Sequence, residues 1–140
     1  MKRILLIVLG LLFVGVGYTY WNYYNSFSDG YREGMLYKFS RKGNFFKTYE
    51  GEIIQPGLRS ISAGGINTNN FCFSVTDQKI ADSLEANIGK NVKLHYTQYR
   101  KSLPWRGDNY NGKNIETGQY IIDRIESIRE VNPNQQQIGF

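Results

Sequence analysis

Reactive side chains are scarce in this 140-residue chain, which holds one cysteine, one histidine and three prolines. A single cysteine excludes an intrachain disulfide framework and any Cys-rich metal centre. Cys72 lies in NFCFSV between two phenylalanines, where a small apolar side chain suits a core, so it is expected to be buried. His95, flanked by Leu94 and Tyr96, has no partner at metal-ligand spacing and no second group positioned for acid–base work. It is expected on the outer face of a strand. There is no G-x-S-x-G elbow, and SISAGG has no P-loop lysine behind it. Glu50 and Glu52 share one face of a strand, and Asp123 would join them in a carboxylate pair only if the fold brought it close. As acids on a solvent-facing strand they need no special role. No catalytic residue, metal ligand or cofactor is assigned.

Charge of one sign is also in short supply. The net charge is +5, Lys2 and Arg3 supply two of the positive charges at the N-terminus, and the rest of the chain mixes Lys and Arg with Asp and Glu. No nucleic-acid partner is expected from that pattern. Between Ile4 and Tyr24 charge is missing altogether. A neutral stretch of about 20 residues is long enough to cross a bilayer as a helix. The two basic residues before it, and the lack of any just after it through Asp29, place the N-terminus in the cytoplasm and the rest of the chain outside. Tyr18, Tyr20, Trp21, Tyr23 and Tyr24 suit the far interface, where amphipathic rings sit at headgroup depth. A cleaved signal peptide competes with this reading, but the bulky YTYWNYY offers no small-x-small cleavage site. Gly15 and Gly17 also raise a dinucleotide-binding turn. Tyr20 stands where the third glycine belongs, and no strand–helix alternation follows, which rules that turn out.

The anchor, residues 1–24, is followed by a polar spacer, 25–33, a β-rich domain, 34–131, and a tail, 132–140. GMLYKFS, residues 34–40, alternates with period two; RKGN reads as a turn with Gly43 at positive φ; FFKTYEGEII, 45–54, reads as the second strand. A long Gly-, Ser- and Asn-rich connection, 55–70, leads to FCFSV, 71–75. Thr76 then looks like the N-cap of a helix that carries Ile80, Leu84 and Ile88 in one stripe, with Gly89 as its stop. KNVKLHYTQY, 90–99, turns Val92, Leu94 and Tyr96 one way, and QYIIDRIESI, 119–128, puts Ile121 and Ile125 on one face with Ile122 on the other. The order β-β-β-α-β-β is that of a small five-stranded OB-like barrel, in which the helix plugs one end with its stripe beneath Leu94 and Phe73. An SH3-like barrel or a sandwich fits the same order.

One patch combines cations with aromatic faces: YRKSLPWRGDNY, with Tyr99, Arg100, Trp105, Arg106 and Tyr110, joined by Arg59 from the long connection. OB folds commonly bind oligonucleotides or oligosaccharides along the corresponding loop, so these residues are the candidate ligand or partner contacts. The competing reading packs Trp105 over the barrel end, with Pro104 and Gly107 shaping the turn.

YREGMLYKFSRKGNFFKTYEGEI, FCFSVTDQKIADSLEANIGKNVKLHY and LPWRGDNY, behind an N-terminal anchor, together resemble a family of short bacterial membrane-anchored envelope proteins of uncharacterised role. Its members are often labelled phosphogluconate dehydrogenase, an activity that needs a Rossmann domain and a substrate domain that this chain does not have. The resemblance implies a membrane location. The expectation is a non-enzymatic single-pass protein of the bacterial inner membrane, held in the lipid bilayer by residues 4–24. Its periplasmic barrel would serve as an accessory or assembly subunit of a membrane protein complex. The alternative is a module that binds a glycan or anionic ligand through the aromatic and basic loop.

Overall fold

The structure is a computed structural model that describes residues 1–55, 60–62, 65–67, 70–107 and 118–131, with backbone alone for 60–62 and 65–67. Helix α1 (Lys2–Tyr24) is long and apolar enough to cross a membrane, and none of its residues is buried. Its last turn closes with the Asn25 amide donating to the Trp21 carbonyl at 3.1 Å, and Asn25 itself is already extended.

Strand β1 (Ser26–Lys42) therefore begins one residue after the helix. Residues 25–33, expected to be a spacer, are not one: from Ser26 they pair with β6 (Asn91–Tyr99) in antiparallel register. Close packing continues along the strand: a Cβ on Gly30 would stand 3.0 Å from the Tyr96 hydroxyl. A Cβ on Gly34 would stand 2.5 Å from the Ile54 carbonyl oxygen, so only glycine lets the two backbones meet there. The first turn holds Gly43 at a φ of 124°, as its sequence suggested. Strand β2 (Thr48–Ile54) starts later than expected, which leaves Phe45 and Phe46 exposed on the turn.

Within the long connection two short strands, β3 (Ser60–Ser62) and β4 (Gly65–Asn67), form a hairpin that the sequence did not suggest. Strand β5 (Asn70–Val75), helix α2 (Gln78–Glu85), β6 and β7 (Gln119–Arg129) follow. The chain is thus mainly β, with one five-stranded sheet in the order β1-β2-β5-β7-β6. Because β6 also pairs with β1, the pairing closes on itself; only β5 and β7 run parallel.

The core gathers Leu36, Ile53, Val75, Val92, Leu94 and Ile122, with Phe71 and Phe73. Each such side chain contributes about 1.5–3 kcal/mol by leaving water. Helix α2 covers this core with Ala81 and Leu84, both fully buried, and with Ile80 at the edge. Its cap is Asp77, not Thr76: one Asp77 carboxylate oxygen accepts from the amides of Lys79 at 2.7 Å and Ile80 at 3.3 Å. The helix ends at Glu85, so Ile88 falls outside it and is exposed. Gly89 follows at a φ of 91°, and its amide donates to the Leu36 carbonyl.

Irregularities of register override strict alternation. In β1 the register shifts between Leu36 and Lys38, so Leu36 and Phe39 both reach the core while Tyr37 stays outside. In β7 it shifts at Asp123 and again at Glu126, and each extra residue inverts the inward parity. Ile122, Ile125 and Ile128 consequently share the core face, in place of the expected pairing of Ile121 with Ile125.

Candidate functional site

The loop after β6 carries most of the candidate contacts and lies against the end of α1. Leu103 to Gly107 form a tight turn in which the Arg106 and Gly107 amides donate to the Leu103 carbonyl. The turn points Arg106 inward, where it is 9% exposed. Its Nε donates to Gln119 Oε1 at 2.7 Å, Nη2 to the Lys101 carbonyl at 2.7 Å, and Nη1 to the Tyr23 carbonyl at 3.0 Å. The guanidinium lies 3.7 Å from the centre of the Tyr99 ring. Gln119, itself 1% exposed, uses its amide nitrogen on the Leu103 and Gly107 carbonyls. Burial lowers the Arg106 pKa from the usual arginine value, while electrostatic interaction with Tyr99 and Tyr24 opposes the shift. The Tyr23 carbonyl is one of the terminal helix carbonyls that no intrahelical amide reaches, and a cation there also complements the helix dipole. Arg106 is therefore the joint between α1 and the sheet.

The expected ligand contacts thus separate. Arg106 and Tyr99 face inward and stack on each other. Arg100 is exposed, 5.0 Å from the Phe27 ring. Trp105 is half exposed and meets Phe46 edge-on at 6.1 Å. Arg59 and Tyr110 lie outside the described residues. Of the expected interfacial aromatics, Tyr18, Tyr20, Trp21 and Tyr24 are exposed and Tyr23 is half-buried; Tyr20 and Tyr24 stack at 4.8 Å.

Between α1 and this loop runs an open, apolar groove of about 850 Å³. One wall is the helix from Leu12 to Tyr24, including Val16, Tyr20 and Tyr23; the other includes Leu103 and Trp105. No family model matches this chain, and no curated protein or solved structure is similar to it. The function must therefore be read from the geometry alone.

Two polar clusters lie elsewhere. Asp123, re-aimed by its bulge, accepts from Thr97 Oγ1 at 2.8 Å and pairs with His95 Nδ1 at 2.5 Å. His95 Nε2 faces Asp29 at 3.6 Å, and Tyr31 meets the imidazole ring edge-on. The imidazole is mostly covered, with carboxylates on both nitrogens, and so ties β1, β6 and β7 together. It does have a second polar partner after all, and Asp123 joins it rather than Glu50. Arg124 donates to Tyr31 and pairs with Glu126, interactions that raise its pKa.

Glu50 and Glu52, expected on a solvent-facing strand, are buried at 0% and 5% exposure. Glu50 accepts from Thr48 Oγ1 and Ser74 Oγ, both at 2.7 Å, and Glu52 accepts from Asn70 at 2.9 Å. Residues on both faces of β2 are buried, Gly51 and Ile53 on one and Glu50 and Glu52 on the other. Cys72, by contrast, is buried as its neighbours implied. No group of three or more His, Cys, Asp or Glu placed to hold a metal ion occurs among the described residues. Nothing in the local sequence signalled the Arg106–Gln119 or His95–Asp123 pairs, because each joins segments whose register only the folded sheet defines.

Proposed function

We propose that this chain is a non-enzymatic, single-pass protein of the bacterial inner membrane. Helix α1 is the anchor, the N-terminus is cytoplasmic, and the β domain stands in the periplasm as an accessory or assembly subunit of a membrane protein complex. The observation that carries this reading is a 23-residue apolar helix with no buried residue, fastened to the folded domain through Arg106. A removable signal sequence has no need of such a joint. The closed pairing order, the parallel β5–β7 contact and a helix before β6 support an OB-like barrel, an architecture suited to partner binding.

Extraction in mild detergent followed by affinity purification tests the accessory role. Stoichiometric co-purification of other membrane proteins is expected, and an isolated monomer opposes it. Protease added to spheroplasts is expected to digest the β domain; full protection contradicts the orientation. Exposed Arg100 and Trp105 keep the glycan- or anion-binding reading as a second one. Saturable glycan binding that is lost in Trp105→Ala would favour it.

A further inference from the structure

Among the described residues nothing fills the groove between α1 and the loop after β6, and its position along the helix restricts what fits. It runs from Leu12 to Tyr24. At 1.5 Å per residue that is about 18 Å of helix, roughly half of it lying on the N-terminal side of Tyr18, where the aromatic band begins. The groove therefore passes from the band into the stretch of helix where Leu12, Gly15 and Val16 line it. Its far wall, Leu103 to Trp105, offers apolar surface, and Trp105 continues it outward to Phe46.

The remaining surroundings agree. Phe45 is 97% exposed and Phe46 and Trp105 about half exposed, a cluster of large rings on one end of a small domain. Exposed cations flank them: Arg41 and Lys47 beside the phenylalanine turn, Arg100 and Lys101 beside the tryptophan loop. No acidic residue occurs in residues 41–47 or 99–107. Apolar rings rimmed by cations are the chemistry of a surface that sinks into the headgroup region of an anionic bilayer. The connection is short, since only Asn25 separates α1 from β1 and Arg106 ties the last turn of α1 to Gln119.

We infer that the groove is a phospholipid site: an acyl chain of the leaflet on the domain's side lies between α1 and Leu103–Trp105, with Phe45, Phe46 and Trp105 seated in the same interface. This rests on the proposal that α1 spans a membrane. The domain then lies on the bilayer rather than standing away from it.

The chain has two tryptophans, which makes the test selective. Full-length Trp21→Phe, with Trp105 as the sole reporter, is reconstituted into vesicles of phosphatidylethanolamine and phosphatidylglycerol. The lipids are brominated either just below the headgroup or near the chain terminus. Trp105 is expected to lose most of its emission to the shallow bromines and little to the deep ones. Trp105→Phe reports Trp21 in the same vesicles. Quenching of Trp21 with no quenching of Trp105 overturns the lipid site while leaving the anchor standing. No quenching of either removes the anchor and the site together. Near-UV circular dichroism of both variants confirms that the fold is retained. In whole membranes, a benzoylphenylalanine placed at position 105 is expected to form a lipid adduct on irradiation. An adduct to another protein's chain instead assigns the groove to a partner helix and overturns the inference.

Discussion

Replacing Arg106 with Met removes the guanidinium while keeping an unbranched apolar side chain, and it isolates the joint between α1 and the sheet. Three hydrogen bonds disappear, to Gln119, to the Lys101 carbonyl and to the Tyr23 carbonyl, together with the stack on Tyr99. A bond to a charged donor is worth about 1.5–3 kcal/mol net, and a buried acceptor left without a donor costs about 1–3 kcal/mol. The terms do not add fully. Lys101 and the end of α1 are near solvent, so water replaces part of what is lost there. Gln119 is 1% exposed, and its remaining donor, the Leu103 amide, is 3.4 Å away, so its oxygen bears most of the penalty. A net loss of about 2–4 kcal/mol follows. For a domain of this size each kcal/mol lowers the Tm by roughly 4–8 °C, so Arg106→Met is expected to unfold about 10–25 °C below the wild type. Thermal unfolding of the full chain in detergent micelles, followed by near-UV circular dichroism, measures it. Arg106→Lys keeps the charge without the planar fork and is expected to fall between the two. Adding Gln119→Leu to Arg106→Met removes the orphaned amide and is expected to recover part of the loss. A shift of under about 4 °C for Arg106→Met, less than ~1 kcal/mol, refutes the joint.

Three further substitutions probe other parts of the fold by the same melting assay. Gly51→Ala places a Cβ 2.3 Å from the Phe73 ring and is expected to cost about 1–3 kcal/mol through overpacking of the core. Asp77→Ala removes the true cap of α2, for about 0.5–2 kcal/mol, whereas Thr76→Ala is expected to be near neutral; equal effects would contradict the observed cap. Thr48→Val takes one hydroxyl donor from the fully buried Glu50 carboxylate and is expected to cost about 1–3 kcal/mol, more than the same change at exposed Thr76.

What the chain declares locally is read correctly from its order of residues. An uncharged stretch from Ile4 to Tyr24 forms the apolar helix, alternation in KNVKLHYTQY forms β6 with Val92 and Leu94 inward, and Gly43 takes a positive φ. Each depends on neighbours within a few positions, where backbone sterics and side-chain period act. Other features depend on register between distant strands. The bulge at Asp123 turns its carboxylate to His95 and shifts the isoleucine face of β7, yet no single strand reveals where an extra residue will sit. Residues 25–33 have the composition of a spacer because small residues suit both a loose linker and a strand pressed against its neighbour; pairing with β6 decides between them.

Burial is decided the same way. Glu50 and Glu52 look like surface acids until the folded sheet sets Ser74 and Asn70 beside them and both faces of β2 are buried. Arg106 reads as an open ligand contact until a tight turn aims it at Gln119 and at the last turn of α1. The sequence alone determined that there is an anchor-like helix, a set of strands and a short capped helix, since hydrophobic periodicity and turn chemistry are local. Only the tertiary structure decided that helix and sheet are joined without a spacer and flank an apolar groove, because that arrangement rests on contacts such as the hydrogen bond between Arg106 and Tyr23, 83 positions apart.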